Sequence, residues 1–225
     1  MDFAIVLVAA GASTRMGFSK LWTDVCGQSL IARAIATARA AGPGELIVVV
    51  SPDRLVDTRS LAPGLSIVPG GARRRDSVAA GLAASQMEWV AIHDAARALA
   101  PPELFGRGLA AAQTTGAAVP VMPLKDTIKR VVDSRVVATP NRAEYMAVQT
   151  PQVFRRDRLE RALALTDDDV TDEAALVEQL GIQVAVFDGD ERAFKVTTPL
   201  DFALARTLLE EEIASPSGRG RAKRG

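Results

Sequence analysis

Four short segments of this chain combine charged side chains with glycine, alanine, serine or threonine. Small residues let backbone N–H groups approach an anion, and nearby cations neutralise its charge. The four segments are VAAGASTRMGFSK (residues 8–20), GGARRRDSV (70–78), HDAAR (93–97) and FKVTTPLDF (194–202). Their residue types suit a ligand that carries phosphate.

The first segment follows an apolar run and has a glycine-rich turn before its two cations, Arg15 and Lys20. Gly11 and Gly17 match neither Gly-x-x-x-x-Gly-Lys-Ser/Thr nor Gly-x-Gly-x-x-Gly, the two common phosphate-binding patterns. A bare loop followed by two cations is a reasonable cradle for a nucleoside triphosphate. A tight strand–helix turn with two solvated cations accounts for the same pattern equally well, so this segment alone decides nothing.

The second segment combines two adjacent glycines with three consecutive arginines. Gly70 and Gly71 would let a flat ring or a sugar lie against the backbone. The arginines at 73–75 cannot all face one site. When the segment is taken alone, a solvated basic turn before a helix that begins at Asp76 is the favoured interpretation.

The third segment supplies a carboxylate. Asp94 stands at the end of a strand-like run, and Ala95 and Ala96 leave space beside it. One carboxylate suits Mg²⁺, which binds proteins through one or two carboxylates together with substrate phosphates and water. A helix-capping aspartate is the alternative. We expect His93 to be a packed or hydrogen-bonded structural residue rather than a base.

The last segment places Lys195 between Phe194 and Val196, which predicts a half-buried lysine with a function or a specific partner. The acidic run DDDVTDE (167–173) has the composition of a cation site. We favour a solvated loop followed by a charged first helical turn that Thr171 caps. Lys195 is therefore the stronger candidate for a site residue.

Strand-like apolar runs alternate with helical patterns along most of the chain. The predicted strands are 3–10, 46–51, 65–69, 89–94, 117–122 and 183–188. The predicted helices are 29–41, 76–86, 102–114, 155–165, 172–180 and 199–212. This alternation indicates an α/β fold, a mostly parallel sheet with helices on both faces. Gly11, Gly71 and Asp94 follow or end strands, so we expect them at the carboxyl edge of the sheet, where such folds bind ligands.

Residues 123–150 break this alternation. They contain the extended runs TIKRVV (127–132) and RVVAT (135–139) around the turn-like pair Asp133–Ser134. This pattern predicts a β-hairpin arm inserted into the α/β body. Its faces show no clear amphipathic pattern toward a local core, so we expect it to pack on something else, such as a second subunit.

Composition argues against several classes of protein. The 225 residues have no net charge, but residues 215–225 hold four basic and no acidic residues, which leaves 23 basic against 27 acidic residues elsewhere, a charge of −4. An acidic body argues against nucleic-acid binding, and the basic tail is expected to be disordered. No membrane span or secretory signal is visible, and the single Cys26 fits a cytoplasmic protein. We expect one domain over residues 1–214.

Seven segments taken together resemble one enzyme family. Besides the four above, they are DTIKR (126–130), QTPQVF (149–154) and TDEA (171–174). In this order, from residue 4 to about 208, the chain is similar to the 2-C-methyl-D-erythritol 4-phosphate cytidylyltransferase family of isoprenoid precursor synthesis. The resemblance implies a Rossmann-like sheet with an arm that clasps a partner in a homodimer. It also implies Mg²⁺, CTP and methylerythritol phosphate as ligands, with CDP-methylerythritol and pyrophosphate as products.

The resemblance also implies roles for individual residues. Ala10, Gly11, Arg15 and Lys20 would hold the triphosphate, with Arg15, Lys20 and Lys195 as catalytic cations. Gly71, Ala72, Arg74 and Ser77 would cradle cytosine and ribose, and Asp94 would bind the metal. Arg97, Thr127, Arg142, Thr150 and Thr171 would surround the sugar phosphate. Thr127 and Arg142 lie in the arm and would reach the site of the partner subunit.

Two other functions stay open. Another small nucleotidyltransferase, such as a ribitol-5-phosphate cytidylyltransferase or a molybdopterin nucleotidyltransferase, shares the glycine-rich start. The arm with Arg142 and the QTPQ segment favour the first family over the molybdopterin enzyme. A non-catalytic nucleotide-binding module is the alternative from another class, but binding alone would not need both Asp94 and Lys195 at one edge.

Overall fold

The computed structural model describes residues 2–11, 20–167, 170 and 172–214. The strands are β1 (Ala4–Ala9), β2 (Asp24–Val25), β3 (Gln28–Ser29), β4 (Glu45–Val50), β5 (Ser66–Pro69), β6 (Trp89–Asp94), β7 (Ala117–Pro123), β8 (Arg130–Val132), β9 (Arg135–Ala138), β10 (Met146–Val148), β11 (Gln152–Arg155) and β12 (Ala185–Asp188). The α-helices are α1 (Leu30–Ala40), α2 (Leu55–Leu61), α3 (Arg74–Ala83), α4 (Glu103–Thr115), α5 (Arg156–Leu165), α6 (Glu173–Glu178) and α7 (Pro199–Ala214). Short 3-10 helices span Lys20–Trp22, Pro52–Arg54, Arg142–Glu144 and Glu191–Ala193.

Within the described residues, eight strands form one sheet in the order β10–β7–β11–β6–β1–β4–β5, with β12 paired to β7. β1 lies between β4 and β6, and these three strands and β5 run parallel. β12 is also parallel to β7, whereas β10 and β11 run antiparallel to their neighbours. The mostly parallel α/β sheet predicted from the sequence is confirmed.

Helices cover both faces of this sheet, as the alternation of elements predicts. Along β1, Ile5 and Leu7 belong to a core that also contains side chains of α1, α4 and α7. The intervening residues Val6 and Val8 belong to a second core with side chains of α3, α5 and α6. Successive strand residues face opposite sides of a sheet, so a strand covered on both faces is apolar at every position.

Helix α3, which begins at Arg74, packs very close to the sheet. A Cβ atom added to Gly81 would lie 2.3 Å from Val6 Cγ1 and 2.9 Å from Val49 Cγ2. Glycine is the residue that permits this approach because it has no side chain. The tight contact holds the whole helix, and with it the Arg74 backbone, against β1 and β4.

The predicted hairpin forms in the arm. β8 and β9 pair antiparallel, with Val132 opposite Arg135. Asp133 (φ 46°) and Ser134 (φ 60°) make the two-residue turn in the left-handed conformation, which is typical of a type I′ hairpin. The valines of the hairpin are 45–60% exposed: Val131, Val132, Val136 and Val137. The arm therefore presents apolar side chains to solvent in the single chain.

Several elements differ from the sequence-based expectation. β11, α2 and the short β2–β3 hairpin were not predicted. Helix α3 begins at Arg74 rather than at Asp76, which instead accepts the Arg73 N–H (3.1 Å) from inside the first turn. Helix α6 is capped by Asp172, whose carboxylate accepts the N–H of Ala175 (3.1 Å), one residue later than expected.

The described part of the chain ends with α7 at Ala214. The basic tail that we expected to be disordered, residues 215–225, lies outside the described residues. None of the helices in the described part is both long and apolar enough to cross a membrane.

Candidate active site

Several of the predicted site residues gather at one edge of the sheet. β1 ends just before Ala10 and Gly11, β5 ends before Gly70 and Gly71, and Asp94 is the last residue of β6. Because β1, β4, β5 and β6 run parallel, these positions all lie at the carboxyl ends of neighbouring strands. The edge expected to bind a ligand is therefore the edge where the charged residues meet.

The carboxylate of Asp94 receives hydrogen bonds from two cations at this edge. Arg74 donates to Oδ1 through Nε (3.1 Å) and Nη2 (3.0 Å), and Lys195 Nζ lies 2.7 Å from Oδ2. Burial acts to raise the pKa of the Asp94 carboxyl, but the two cations outweigh burial and hold that pKa well below its usual range. Asp94 therefore stays ionised at neutral pH.

The three consecutive arginines point in different directions. Arg73 lies toward the surface and pairs with two aspartates. Arg75 is buried and donates to two carbonyl oxygens at the C-terminal end of α5. Of the three, Arg74 turns toward Asp94, in line with the expectation that the arginines cannot all face one site.

Lys195 is held near Asp94 by the backbone that follows it. Val196 is fully buried, and its N–H donates to Ala96 O (2.9 Å) in the loop after β6. Asp201, in the first turn of α7, accepts the next two backbone N–H groups at 2.8 and 2.7 Å. The Lys195 side chain is 41% exposed, so it is more exposed than expected, but the specific partner predicted for it is present in Asp94.

Arg97 is the cation of the HDAAR segment. Its Nη1 donates to Ala193 O (2.7 Å), close to Lys195 in sequence. Burial lowers the pKa of Arg97, an effect that Asp94 opposes and Arg74 reinforces. Its Nε is buried and has no hydrogen-bond partner among the described residues. A buried unsatisfied donor favours an acceptor supplied by a ligand or by water.

His93 and Thr150 lie beneath Asp94 and position its backbone. The N–H of Asp94 donates to Thr150 Oγ1 (3.1 Å), which also lies 3.0 Å from His93 Nδ1. His93 is fully buried, and its ring packs edge-on against Phe105 with the centroids 5.0 Å apart. The expectation of a packed, hydrogen-bonded structural histidine is confirmed.

These side chains line a cleft of about 190 Å³. Five residues of its wall are among those assigned from the sequence: Arg74, Asp94, Arg97, Thr150 and Lys195. The other four wall residues are Val148, Gln149, Gln152 and Asp172. The cleft thus combines residues from the second, third and last of the four segments with the QTPQ and TDEA segments.

A second group of assigned residues forms an exposed surface between the turns after β1 and β5. Gly71 and Ala72 are exposed. A Cβ atom on Gly70 would lie 2.4 Å from Ala10 Cβ, so the two turns are in close contact. Ser77 is buried, and its hydroxyl accepts the Gly71 N–H (3.2 Å). Ser77 therefore shapes the turn and does not present its hydroxyl on the exposed surface.

The other assigned residues lie outside the cleft wall of this chain: Gly11, Lys20, Thr127 and Arg142. Lys20 is half-buried in its 3-10 helix. Thr127 and Arg142 are exposed in the arm, where Arg142 Nη1 donates to the carbonyl oxygen of Lys125. Arg15 and Thr171 lie outside the described residues.

The donor set at Asp94 fits a magnesium ion held mainly by substrate. Oδ1 accepts two N–H groups of Arg74, whereas Oδ2 keeps one lone pair beyond its bond with Lys195. One carboxylate oxygen, with phosphates and water as the other ligands, is a usual arrangement for Mg²⁺. Among the residues that the structure describes, no group of three or more His, Cys, Asp or Glu side chains could hold a metal ion.

Sequence reasoning overlooked four polar residues: Gln149, Gln152, Asp172 and Glu173. Gln149 exchanges two hydrogen bonds with the backbone of Asp190 (2.9 and 3.0 Å), and Gln152 Nε2 donates to Asp172 Oδ2 (2.9 Å). Glu173 lies in the first turn of α6, where a charged helical turn was expected, but it is only 1% exposed, which the sequence did not indicate. The QTPQ and TDEA segments contained the signal, since all four residues belong to them.

A family comparison agrees with this geometry. The model of the family described as 2-C-methyl-D-erythritol 4-phosphate cytidylyltransferase matches residues 3–211, a range that contains Arg74, Asp94 and Lys195. The chain belongs to this family. The resemblance noted from the short segments is thereby confirmed.

Individual relatives are similar over most of their length. A protein named 2-C-methyl-D-erythritol 4-phosphate cytidylyltransferase from Rhodococcus opacus (strain B4) is 47% identical over 210 residues, which cover 90% of this chain and 93% of the relative. The crystal structure of the protein of the same name from Thermus thermophilus has a TM-score of 0.78 and 34% identity, covering 93% of this chain and 100% of that chain. The crystal structure of 4-diphosphocytidyl-2C-methyl-D-erythritol synthase from Anaerococcus prevotii has a TM-score of 0.83 and 27% identity. The match covers 93% of this chain and 98% of that chain.

The burial of His93 predicts an unusual titration. Burial lowers the pKa of His93 to about 4, against about 6.5 in an unfolded chain. Between these values the unfolded state takes up a proton that the folded state does not, so His93 makes the free energy of unfolding decrease as the pH falls from about 6.5 to about 4. Because the chain has a single histidine, its imidazole signal in a ¹H–¹³C NMR titration of untagged protein is unambiguous. We expect a neutral ring at pH 5.5; a midpoint near 6.5 would contradict the structural role.

Proposed function

We propose that this protein transfers CMP from CTP to 2-C-methyl-D-erythritol 4-phosphate, giving 4-diphosphocytidyl-2-C-methyl-D-erythritol and pyrophosphate. The observation that carries the proposal is the pairing of Asp94 with both Arg74 and Lys195 at the carboxyl edge of the sheet. Membership of the cytidylyltransferase family supplies the reaction, and the relatives' names supply the substrate.

The proposed chemistry is a direct in-line displacement. An oxygen of the methylerythritol phosphate attacks the α-phosphorus of CTP, and the bond from that phosphorus to the oxygen bridging to the β-phosphorus breaks, so pyrophosphate leaves. The attacking phosphate is already largely ionised near neutral pH, so a general base is unnecessary. Catalysis then depends on positioning and on neutralising negative charge.

Cations of this chain would supply that neutralisation. Lys195, oriented by Asp94, faces the cleft from one side. Arg15 and Lys20, in and after the glycine-rich turn, would hold the triphosphate from the other side. Mg²⁺ bound through Oδ2 of Asp94 would add positive charge at the phosphates.

The exposed turns after β1 and β5 suit the nucleoside. Ala10, Gly11, Gly71 and Ala72 present backbone and small side chains, against which cytosine and ribose could lie. Ser77 supports this surface by accepting the Gly71 N–H. Arg74, first assigned to the nucleoside, is committed to Asp94 here, and we propose that its main role is to orient that carboxylate.

The second substrate would occupy the cleft. Arg97 and Thr150 line its wall, and the unsatisfied Nε of Arg97 suits a phosphate oxygen. Thr171 lies outside the described residues and keeps the same assignment because it directly precedes Asp172, another wall residue, in the sequence. Arg142 and Thr127 would complete the site from the arm of the partner subunit.

A homodimer is supported by the exposure of the arm. Two-stranded hairpins are marginally stable in water unless they pack against something. The hairpin valines and the nearby Tyr145, Met146 and Val148 are all at least 41% exposed in the single chain. Packing on a second copy would bury these side chains and carry Arg142 toward the other cleft. We propose that this dimer works in the cytoplasm, since the lone Cys26 suits a reducing compartment.

Pyrophosphate release tests the reaction directly. With Mg²⁺ and methylerythritol phosphate, we expect release with CTP and little release with ATP, GTP or UTP. The Lys195→Met variant controls for contaminating activity, because loss of one preorganised charge typically lowers the rate by about 10²–10³. Absence of release with CTP would contradict the proposal. Release with ribitol 5-phosphate but not methylerythritol phosphate would support a ribitol-5-phosphate cytidylyltransferase instead.

Mixed dimers test the shared site. Arg142→Ala and Lys20→Ala proteins should each be nearly inactive. In a dimer with one subunit of each kind, one site combines an intact Lys20 with an intact Arg142, so a purified mixed dimer should recover about half of the wild-type activity. Differently tagged subunits allow that dimer to be isolated. If dimers shown to be mixed stay inactive, each arm serves its own subunit or neither.

A further inference from the structure

Glu173 is a buried carboxylate whose place in the site is not explained by packing. It is the first residue of α6 and is 1% exposed. Oε1 accepts a hydrogen bond from Arg74 Nη1 at 2.5 Å, and Oε2 is buried with no partner among the described residues. Removing a carboxylate from water is unfavourable, and an apolar residue would fill the same space without that cost. A carboxyl group buried at this position and hydrogen-bonded to Arg74 therefore points to a role beyond packing.

Arg74 lies between two carboxylates and donates three hydrogen bonds to them. Its Nε and Nη2 donate to Asp94 Oδ1, and its Nη1 donates to Glu173 Oε1. Burial acts to lower the pKa of Arg74, but Asp94 and Glu173 together raise it above its usual range. Since the guanidinium is planar and rigid, anchoring Nη1 also fixes the direction of the edge that faces Asp94.

The contact with Glu173 also restrains the Arg74 side chain from moving away from Asp94. Arg74 is one of the residues that line the cleft, where the phosphate of the second substrate would attract it. A carboxylate on its far side opposes that attraction and keeps Arg74 on Asp94. Asp94 then remains oriented with Oδ2 toward Lys195.

We propose that Glu173 is a positioning residue for the transfer reaction, which acts by holding Arg74 on Asp94 and thereby keeps Asp94 and Lys195 in their reactive arrangement. This inference rests on the proposed cytidylyl transfer for its kinetic consequences. Its structural part, the anchoring of Arg74, can be measured without any reaction.

The kinetic test replaces Glu173 with glutamine, which keeps the side-chain shape and removes the charge. We expect Glu173→Gln to lower kcat by about 10–100-fold, the usual effect of losing a residue that orients a directly acting group, with KM for both substrates within about threefold. Glu178→Gln is the matched control, because Glu178 lies exposed at the other end of the same helix. A Glu173→Gln protein with wild-type kcat would overturn the proposal, and so would a lowered melting temperature as its sole effect.

A double-mutant cycle separates action through Arg74 from direct action. If Glu173 acts through Arg74, then adding Glu173→Gln to an Arg74→Gln protein should change kcat by less than about twofold. If the effect of Glu173→Gln is undiminished in that background, Glu173 acts on substrate or metal directly and the positioning role is wrong.

NMR supplies a readout that needs neither substrate nor full activity. The Arg74 Nε–H signal, assigned by its loss in Arg74→Gln, should exchange slowly with water in the wild type and in Glu178→Gln. In Glu173→Gln this signal should exchange faster. If the glutamine variant does not fold, Glu173→Asp gives the same test, because aspartate withdraws the carboxylate by one methylene. Unchanged exchange in the folded variant overturns the proposal. A wild-type protein that shows this NMR behaviour but releases no pyrophosphate would contradict the proposed function while leaving the anchoring of Arg74 intact.

Discussion

The site depends on the burial of one negative charge, the carboxylate of Asp94, at the end of β6. Burial of an ionised carboxylate is strongly unfavourable unless cations and hydrogen bonds compensate it, and removal of one partner from such a buried pair typically costs about 3–5 kcal/mol. Here Arg74 and Lys195 provide the compensation, from the start of α3 and from the segment before α7. Arg74 and Lys195, which are 121 positions apart in sequence, are therefore held together by one side chain. The same requirement places two cations at the edge of the sheet where a triphosphate would bind.

The rest of the fold sets the positions of these three residues. β6 is fully buried between β1 and β11, so Asp94 ends a central strand of the sheet. Gly81 allows α3 to lie against β1 and β4, and Asp201 and Val196 hold the backbone near Lys195. The hairpin arm is built differently, with apolar side chains in solvent and no comparable core around it among the described residues. The charged side chains are therefore held in place within one subunit, whereas the arm is available to another subunit. This combination is consistent with a site that two subunits complete.

Most of the sheet and its binding edge could be predicted from the sequence because buried parallel strands are apolar along their whole length. β11 could not, because its four residues lie directly after a proline and gain their strand conformation from pairing with β6 and β7. The importance of Asp94 and Lys195 followed from their positions beside small or apolar residues. Arg74 could not be distinguished from Arg73 and Arg75 by residue type, since only the direction in which each points at the start of α3 separates them. Glu173 was hidden in an acidic run whose composition is typical of solvated loops, and its burial is decided by the tertiary contact with Arg74.

The most direct test of the central role of Asp94 is the single-turnover rate of an Asp94→Asn protein with both substrates saturating. Asparagine keeps the shape of the side chain but cannot compensate the charges of Arg74 and Lys195. We therefore expect a rate at least about 10² lower than that of the wild type in a protein whose circular dichroism shows it to be folded. Asp188→Asn, at the exposed end of β12, removes one negative charge elsewhere and should keep the wild-type rate. An Asp94→Asn protein whose rate stays within about threefold of the wild type would contradict the central role of Asp94.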